Sequence, residues 1–380
     1  MPQSLPDPRE RPLFIGSEIY RGSSYGSRHP LAIPRVSSVI DLCRALGWLP
    51  DAAYLDSPRA TPEELARFHD PDYVAAVLKV EAAQEADAFQ KQRYNLGVNG
   101  NPVYPEVFRR PATAAGASLL AGRLLAKGGI VHSPASGTHH ALRDRASGFC
   151  YFNDPVLAIL SLLDQGVERV FYLDVDAHHG DGVQIAFEQE AKVFTLSIHE
   201  DGRWPMRAET GLGGLSDRGG GQARNLPVPP GFNDSELDFL MEAAVLPLIG
   251  AFEPEAIVLQ CGCDGLDDDP LSRLALSNLA LWRVVRQVRG LAPRLFVTGG
   301  GGYNPWSVAR CWSGVWAVLN RFEIPGHLPV DAQGVLRHLT WRHSKGRNPP
   351  EAWFTTLADP PRPGPIRPEV RALAPRVLAA

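Results

Sequence analysis

The chain has 380 residues, 44% of them apolar and 21% charged, with a formal net charge of −4. This is the composition of a soluble globular protein too long for a small module. No basic stripe marks a general nucleic-acid binder, and no run of about 18 apolar residues offers a membrane span. The five cysteines form no disulfide framework, and the start, "MPQSLPDPRERPLF", lacks a basic segment followed by an apolar core. Both features point to a reducing, cytoplasmic setting.

In chain order, "TPEELARFHD" predicts a helix, with Thr61 as N-cap, Pro62 in the first turn and Glu64 closing a capping box. "YNLGVNGNPVYP" (94–105) reads as a loop, followed by a helical pattern at 105–126 and a strand, "GGIVHS" (128–133). His139 and His140 come next, then a helix at 153–165 and the strand "RVFYLDVD" (169–176). "KVFTLSIH" (192–199) predicts a further strand, and 201–224 a long loop of the kind that is functional or disordered. A helix at 234–250, the strand "EAIVLQCG" (255–262), a helix at 277–290, the strand "RLFVTGG" (294–300) and a helix at 306–320 complete the pattern. Short β-branched or aromatic runs alternating with helices predict an α/β fold: one domain over 1–345, a largely parallel sheet flanked by helices, with the active site at the C-terminal ends of the strands. The Pro-rich remainder, 346–380, ends in a helical pattern and reads as a surface tail or a contact in a homo-oligomer.

The unusual polar residues fall at those strand ends. Asp176 and His178 are two apart, so in an extended segment both project from one face. With Asp264 they make one imidazole and two carboxylates, an open metal site with positions left for water and substrate. His179 projects to the other face and reads as a hydrogen-bonded core histidine. Cys261 and Cys263, with no partner pair, read as strand packing. The glycine run 299–302 is not a phosphate loop, because Tyr-Asn-Pro follows it instead of Lys-Ser/Thr.

"GTHHALRDRASGFCYFND", "YLDVDAHHGDGVQ", "LQCGCDGLDDDPLSRL" and "GGGGYNP" resemble the successive motifs of the histone deacetylase family. "YRGSSYGSRHPLAIPR" resembles its bacterial acetoin-utilisation branch, close to the class I enzymes. The resemblance implies the arginase/deacetylase fold and metal-dependent hydrolysis of acetyl-lysine amides. It implies Asp176, His178 and Asp264 as zinc ligands, with ferrous iron an alternative metal. His140 then matches the general base, and His139 its electrostatic or acidic neighbour. Asp174 and Asp181 match the carboxylates that hold His139 and His140, and Tyr303 the hydroxyl facing the oxyanion. Phe149 and Trp204 match the walls of an acyl-lysine tunnel, with Gly148 and Gly301 beside it. A structural potassium site is implied at Asp174, Ser197 and Ile198, with the carbonyls of Asp176 and His178. Where class I-like members carry an Asp at the tunnel rim, this chain has Gly100. A ureohydrolase, which shares the fold, would need carboxylates where this chain has Gly180 and Gly262 to hold a second metal. The implied substrates are acetylated proteins or small acetylated amines such as acetylpolyamines. A catalytically inactive acyl-lysine binder is the reading from another class.

Overall fold

A computed structural model describes residues 6–206 and 209–379. The first five residues of the expected catalytic domain, Arg207 and Ala208 of the long loop, and Ala380 of the tail lie outside the described residues. The strands are β1 (Leu13–Gly16), β2 (Tyr54–Asp56), β3 (Gly129–Ser133), β4 (Val170–Asp174), β5 (Val193–Glu200), β6 (Ala223–Val228), β7 (Ala256–Gln260) and β8 (Arg294–Thr298). They form one sheet in the order β2-β1-β3-β8-β7-β4-β5-β6, with every pairing parallel.

Along β4 the side chains alternate between two cores. Phe171 and Leu173 join the core that holds Trp312 and Trp316, while Val170 and Tyr172 join the one that holds Ala117 and Val156. Helices therefore cover both faces, which is why β4, β5 and β7 are buried along their whole length and read as continuous apolar runs. The order places β3, β8, β7, β4 and β5 side by side. These five strands and the loops that follow them carry the residues singled out above as chemical, apart from the rim position Gly100.

Three strands escaped the sequence reading. β2 has three residues and β1 four. β6 starts at the end of the stretch read as loop, 201–224, runs on past it and contains Asn225 and Pro227. Pro227 is tolerated because β6 is an edge strand, where a missing N–H breaks no second ladder. The Thr61 capping box forms as expected. The C-terminal stretch is not a loose surface tail: Val370, Leu373, Ala374 and Val377 are buried in the main core. Fully buried Glu236 pairs with Arg367 at 2.7 Å, and buried Arg310 pairs with Asp359 at 2.7 Å. The proline content conceals this packing, because only a few widely spaced apolar positions face inward.

Candidate active site

Asp174 closes β4, and the chain then turns so that Asp176 and His178 point to the spot reached by Asp264 from the loop after β7. One donor atom from each of Asp176, His178 and Asp264 lies within 4.8 Å of the other two, and the cluster is buried. The Nδ1 atom of His178 is 2.8 Å from Asp264 Oδ2 and 3.3 Å from Asp176 Oδ1. Backbone amides fix the carboxylates: Gly301 N–H donates to Asp176 Oδ2 (2.6 Å) and Ala177 N–H to Asp264 Oδ1 (2.9 Å). Two buried carboxylates facing one imidazole are short of positive charge, and this donor set fits a divalent cation. Gly301 is required by contact, since a Cβ there would lie 2.0 Å from Asp264 Oδ2. The second-metal reading fails on the same ground. A Cβ at Gly180 would meet Asp174 at 2.4 Å, and one at Gly262 would meet Asp176 at 2.1 Å, so neither position has room for a bridging carboxylate.

Beside this cluster stand two histidine–carboxylate pairs. His139 Nδ1 lies 2.8 Å from Asp174 Oδ2, and His140 Nδ1 lies 2.7 Å from Asp181 Oδ1. The two rings are 4.0 Å apart between centroids. Their charge states diverge. Burial opposes a proton on His139, but Asp174 and Asp176 outweigh it and lift its pKa to about 9. Burial, reinforced by the positive charge of His139 and His178, drives His140 well below the usual imidazole value. His140 is thus neutral, with Nδ1–H given to Asp181 and its Nε2 lone pair free.

The walls come from loops. Trp204, from the long loop after β5, sets its ring 4.8 Å from His140 and 6.5 Å from His178. Phe149, whose amide donates to Asn101 Oδ1 at 2.9 Å, stands 6.0 Å from the Tyr303 ring. Gly148 lies between them; a Cβ there would press on the Trp204 ring at 2.4 Å and on His140 at 2.6 Å. Tyr303 follows the glycine turn, anchored by its N–H to Asp269 Oδ2 at 2.7 Å. Burial, with Asp264 and Asp176 nearby, raises the Tyr303 pKa well above the phenol value, so its hydroxyl keeps the proton it can donate. The residues predicted to hold the transition metal, the catalytic histidines and tyrosine, and the wall residues are therefore gathered around one cleft.

The histone deacetylase domain family model matches residues 29–319. The chain belongs to the histone deacetylase family. Histone deacetylase 9 of Arabidopsis thaliana is 36% identical over 313 residues, covering 81% of this chain and 73% of that protein. Histone deacetylase 1 of Homo sapiens is 34% identical over 81% of this chain, and the match spans 64% of the human protein. The acetoin utilization protein AcuC of Bacillus subtilis is 31% identical over 94% of this chain and 93% of its own length. The crystal structure of a histone deacetylase homologue from Aquifex aeolicus superposes with a TM-score of 0.90 at 34% identity, covering 97% of this chain and 99% of that one. As a histone deacetylase family member, the chain is a hydrolase acting on acetylated amides. No helix among the described residues is long and apolar enough to cross a membrane.

Several residues that shape this deacetylase site are not singled out by the sequence motifs. Tyr172 O–H donates to Asp174 Oδ2 at 2.8 Å, so that oxygen serves both Tyr172 and His139; its spacing of two from Asp174 on one strand face was the available clue. Asn153 caps the helix Asp154–Asp164 with its Oδ1, while its Nδ2 donates to the carbonyls of His139 and Ala141 at 3.1 and 2.9 Å. Asp154, buried, accepts from Gly137 N at 2.9 Å and from Ser118 Oγ at 2.8 Å. Gln260 Nε2 donates to the Gly137 carbonyl at 2.8 Å. Together they fix the loop that presents His139–His140. His179, as expected, is a buried core histidine, with Nε2 at 3.0 Å from Gln184 Oε1.

The Ser197 side chain, on β5, is hydrogen-bonded to His199 Nδ1 at 2.8 Å. Because His199 Nε2 donates to the Gly213 carbonyl, Nδ1 accepts, and Ser197 is the donor. Its oxygen lone pairs remain available, and Ile198 follows it directly on the strand. Gly100 lies against Phe149: a Cβ there would fall 2.6 Å from the Phe149 ring, and φ is +80°. A side chain at this rim position is excluded by both contact and backbone.

Proposed function

We propose that this chain hydrolyses the amide of Nε-acetyl-lysine side chains on proteins, releasing acetate and the free amine. Zinc is the favoured metal and ferrous iron the alternative, because one imidazole and two carboxylates accept either. The observation that carries the reading is the placement of two His–Asp pairs beside a three-ligand cluster, at the base of a cleft walled by Phe149 and Trp204.

Asp176, His178 and Asp264 would hold the metal, which supplies Lewis acidity toward the acyl carbonyl and lowers the pKa of bound water to roughly 7. The protein's own groups do the rest. His140, its tautomer set by Asp181, takes the proton of the attacking water at Nε2. His139, held charged by Asp174, stabilises negative charge as it develops and offers a proton on the path to the leaving amine. The Tyr303 hydroxyl donates to the developing oxyanion. Phe149 and Trp204 pack against the aliphatic stem of the lysine and exclude water. Potassium at Asp174, Ser197 and Ile198 would brace the strand end that carries the ligands. Residues 1–345 form the catalytic unit, and 346–380 stabilise it from outside the cleft.

The test is acetate release from acetyl-lysine peptides by the metal-loaded protein, side by side with acetylputrescine and with metal analysis. The expected result is peptide turnover with one transition metal per chain. Turnover of acetylputrescine with inert peptides would replace the substrate class. No release from any substrate under any metal would favour an acyl-lysine binder.

A further inference from the structure

Three arginines line the opening of the cleft: Arg145, Arg203 and Arg273, from three separate loops. The acidic side chains lining the same opening are Asp181 and Asp217. Neither is free to meet a cation. Asp181 is committed to His140 at 2.7 Å. Asp217 accepts from Gln184 Nε2 at 2.8 Å, from Gly213 N at 2.9 Å and from Gly219 N at 3.1 Å. The facing rim segment, residues 94–105, contributes Asn95 and Asn99 and contains no carboxylate.

The arginines are not neutralised in turn. Fully buried Glu200 lies beneath two of them. It takes Arg203 in a two-pronged pair at 2.5 and 2.9 Å, and accepts the Arg273 backbone N–H at 2.7 Å. The Arg273 guanidinium touches the same carboxylate only at 3.3 Å and is 75% exposed. One negative charge thus anchors two positive ones. Arg145, half-buried, has no ion-pair partner among the described residues. The charges balance in number, but Asp181, Asp217 and Glu200 are held by inward partners, while Arg145 and Arg273 present unspent N–H donors suited to carboxylates.

Resting on the proposed acetyl-lysine reading, we infer that the preferred substrate carries a carboxylate beside its acyl-lysine. A peptide segment with Asp or Glu flanking the modified lysine fits best, with Arg145 and Arg273 as the groups that read it. The tunnel admits the acyl stem, so the flanking residues must lie across the opening, where the guanidiniums stand. The same two guanidiniums disfavour a polycationic amine placed beside them. A free acetylated amino acid offers the same chemistry through its α-carboxylate.

The experiment compares kcat/KM for three peptides of equal length with a central acetyl-lysine flanked by Glu, Gln or Lys. Free Nε-acetyl-lysine and acetylputrescine run beside them, at low and high salt. The wild type is expected to rank Glu above Gln above Lys. The step from Glu to Lys should be roughly ten-fold or more, carried mainly by KM and shrinking at high salt. In Arg145→Gln/Arg273→Gln the ratio of Glu to Lys peptide should fall close to one. Free acetyl-lysine turned over as well as the Glu peptide would assign the carboxylate to the amino acid itself. Hydrolysis of all three peptides with equal efficiency, or best for the Lys peptide, overturns the inference and leaves the acetyl-lysine reading standing. Absence of hydrolysis of any peptide overturns that reading, and the inference with it. The wild-type peptide and salt series decide the matter even if a variant fails to fold.

Discussion

At the floor of the cleft, Asp174 accepts three hydrogen bonds, from His139, Tyr172 and the amide of Asp176. At its mouth, Trp204 is 45% exposed, and Arg273 leans on a carboxylate it shares with Arg203. The floor is built from strand ends and the turns beside them, where the sheet dictates position and the carboxylates are held by several donors. The mouth is built from long loops, where side chains have fewer partners and more water. Reaction geometry tolerates little displacement, so it belongs on the sheet. Choice of substrate depends on charge and shape outside the tunnel, so it can reside on loops. Substitutions at the floor should therefore act on kcat, and those at the mouth on KM.

The largest effect is expected from Tyr303→Phe. It should keep the metal and lower kcat by roughly 100- to 1,000-fold, as loss of an oxyanion donor does. Unchanged turnover with full metal content would remove Tyr303 from that role. Gly301→Ala places a methyl group 2.0 Å from Asp264 Oδ2 and displaces a carboxylate of the cluster. Activity and bound metal should fall together by about 10- to 100-fold, read by turnover and metal analysis on one sample. Asp181→Asn should lower kcat to a similar or smaller extent with little change in KM, since it disturbs the tautomer and basicity of His140 but no substrate contact.

A smaller effect lies behind the floor. His69 accepts from Asn153 N at 2.9 Å and faces the carbonyls of Leu142 and Arg143, and burial lowers its pKa to about 4. Its folded value lies below the unfolded value of 6.5, so the folded state binds this proton less readily. The stability is whole above pH 6.5 and is lost as pH falls toward 4. Denaturant unfolding should show a loss on the order of 2 kcal/mol between pH 7 and pH 5 from this residue, absent in His69→Gln. A pH-independent midpoint over that range would contradict the assignment. The smallest effect is at the mouth: Trp204→Ala should raise KM several-fold, with kcat changed less. A kcat loss as large as that of Tyr303→Phe would break the division between floor and mouth.

Much of the floor was legible in advance. Asp176 and His178 advertise themselves by a spacing of two at the end of an apolar run, and Asp264 and Tyr303 by their position after strands of the same kind. Their supports were not legible. Asn153, Asp154 and Gln260 look like ordinary polar residues of a helix start and a strand end. They acquire their roles only by reaching loops between 12 and 123 positions away in the chain. Period and propensity describe neighbours in sequence and carry no record of such contacts. β1 and β2 were illegible because they are only four and three residues long, and β6 because Arg224, Asn225 and Pro227 interrupt its apolar pattern at the sheet edge.

The sequence by itself determined the α/β class, the five central strands, the candidate metal cluster, the histidine pair and the family. All of these depend on residues close together in the chain or on motifs in a set order. Only the tertiary structure decided that burial and nearby carboxylates push His139 and His140 in opposite directions, that a methyl group has no room at Gly100, Gly180, Gly262 or Gly301, that the proline-rich end packs into the core, and that three arginines surround the opening. Burial, close approach and the balance of charge are properties of how distant segments meet, and they exist only once the chain has folded.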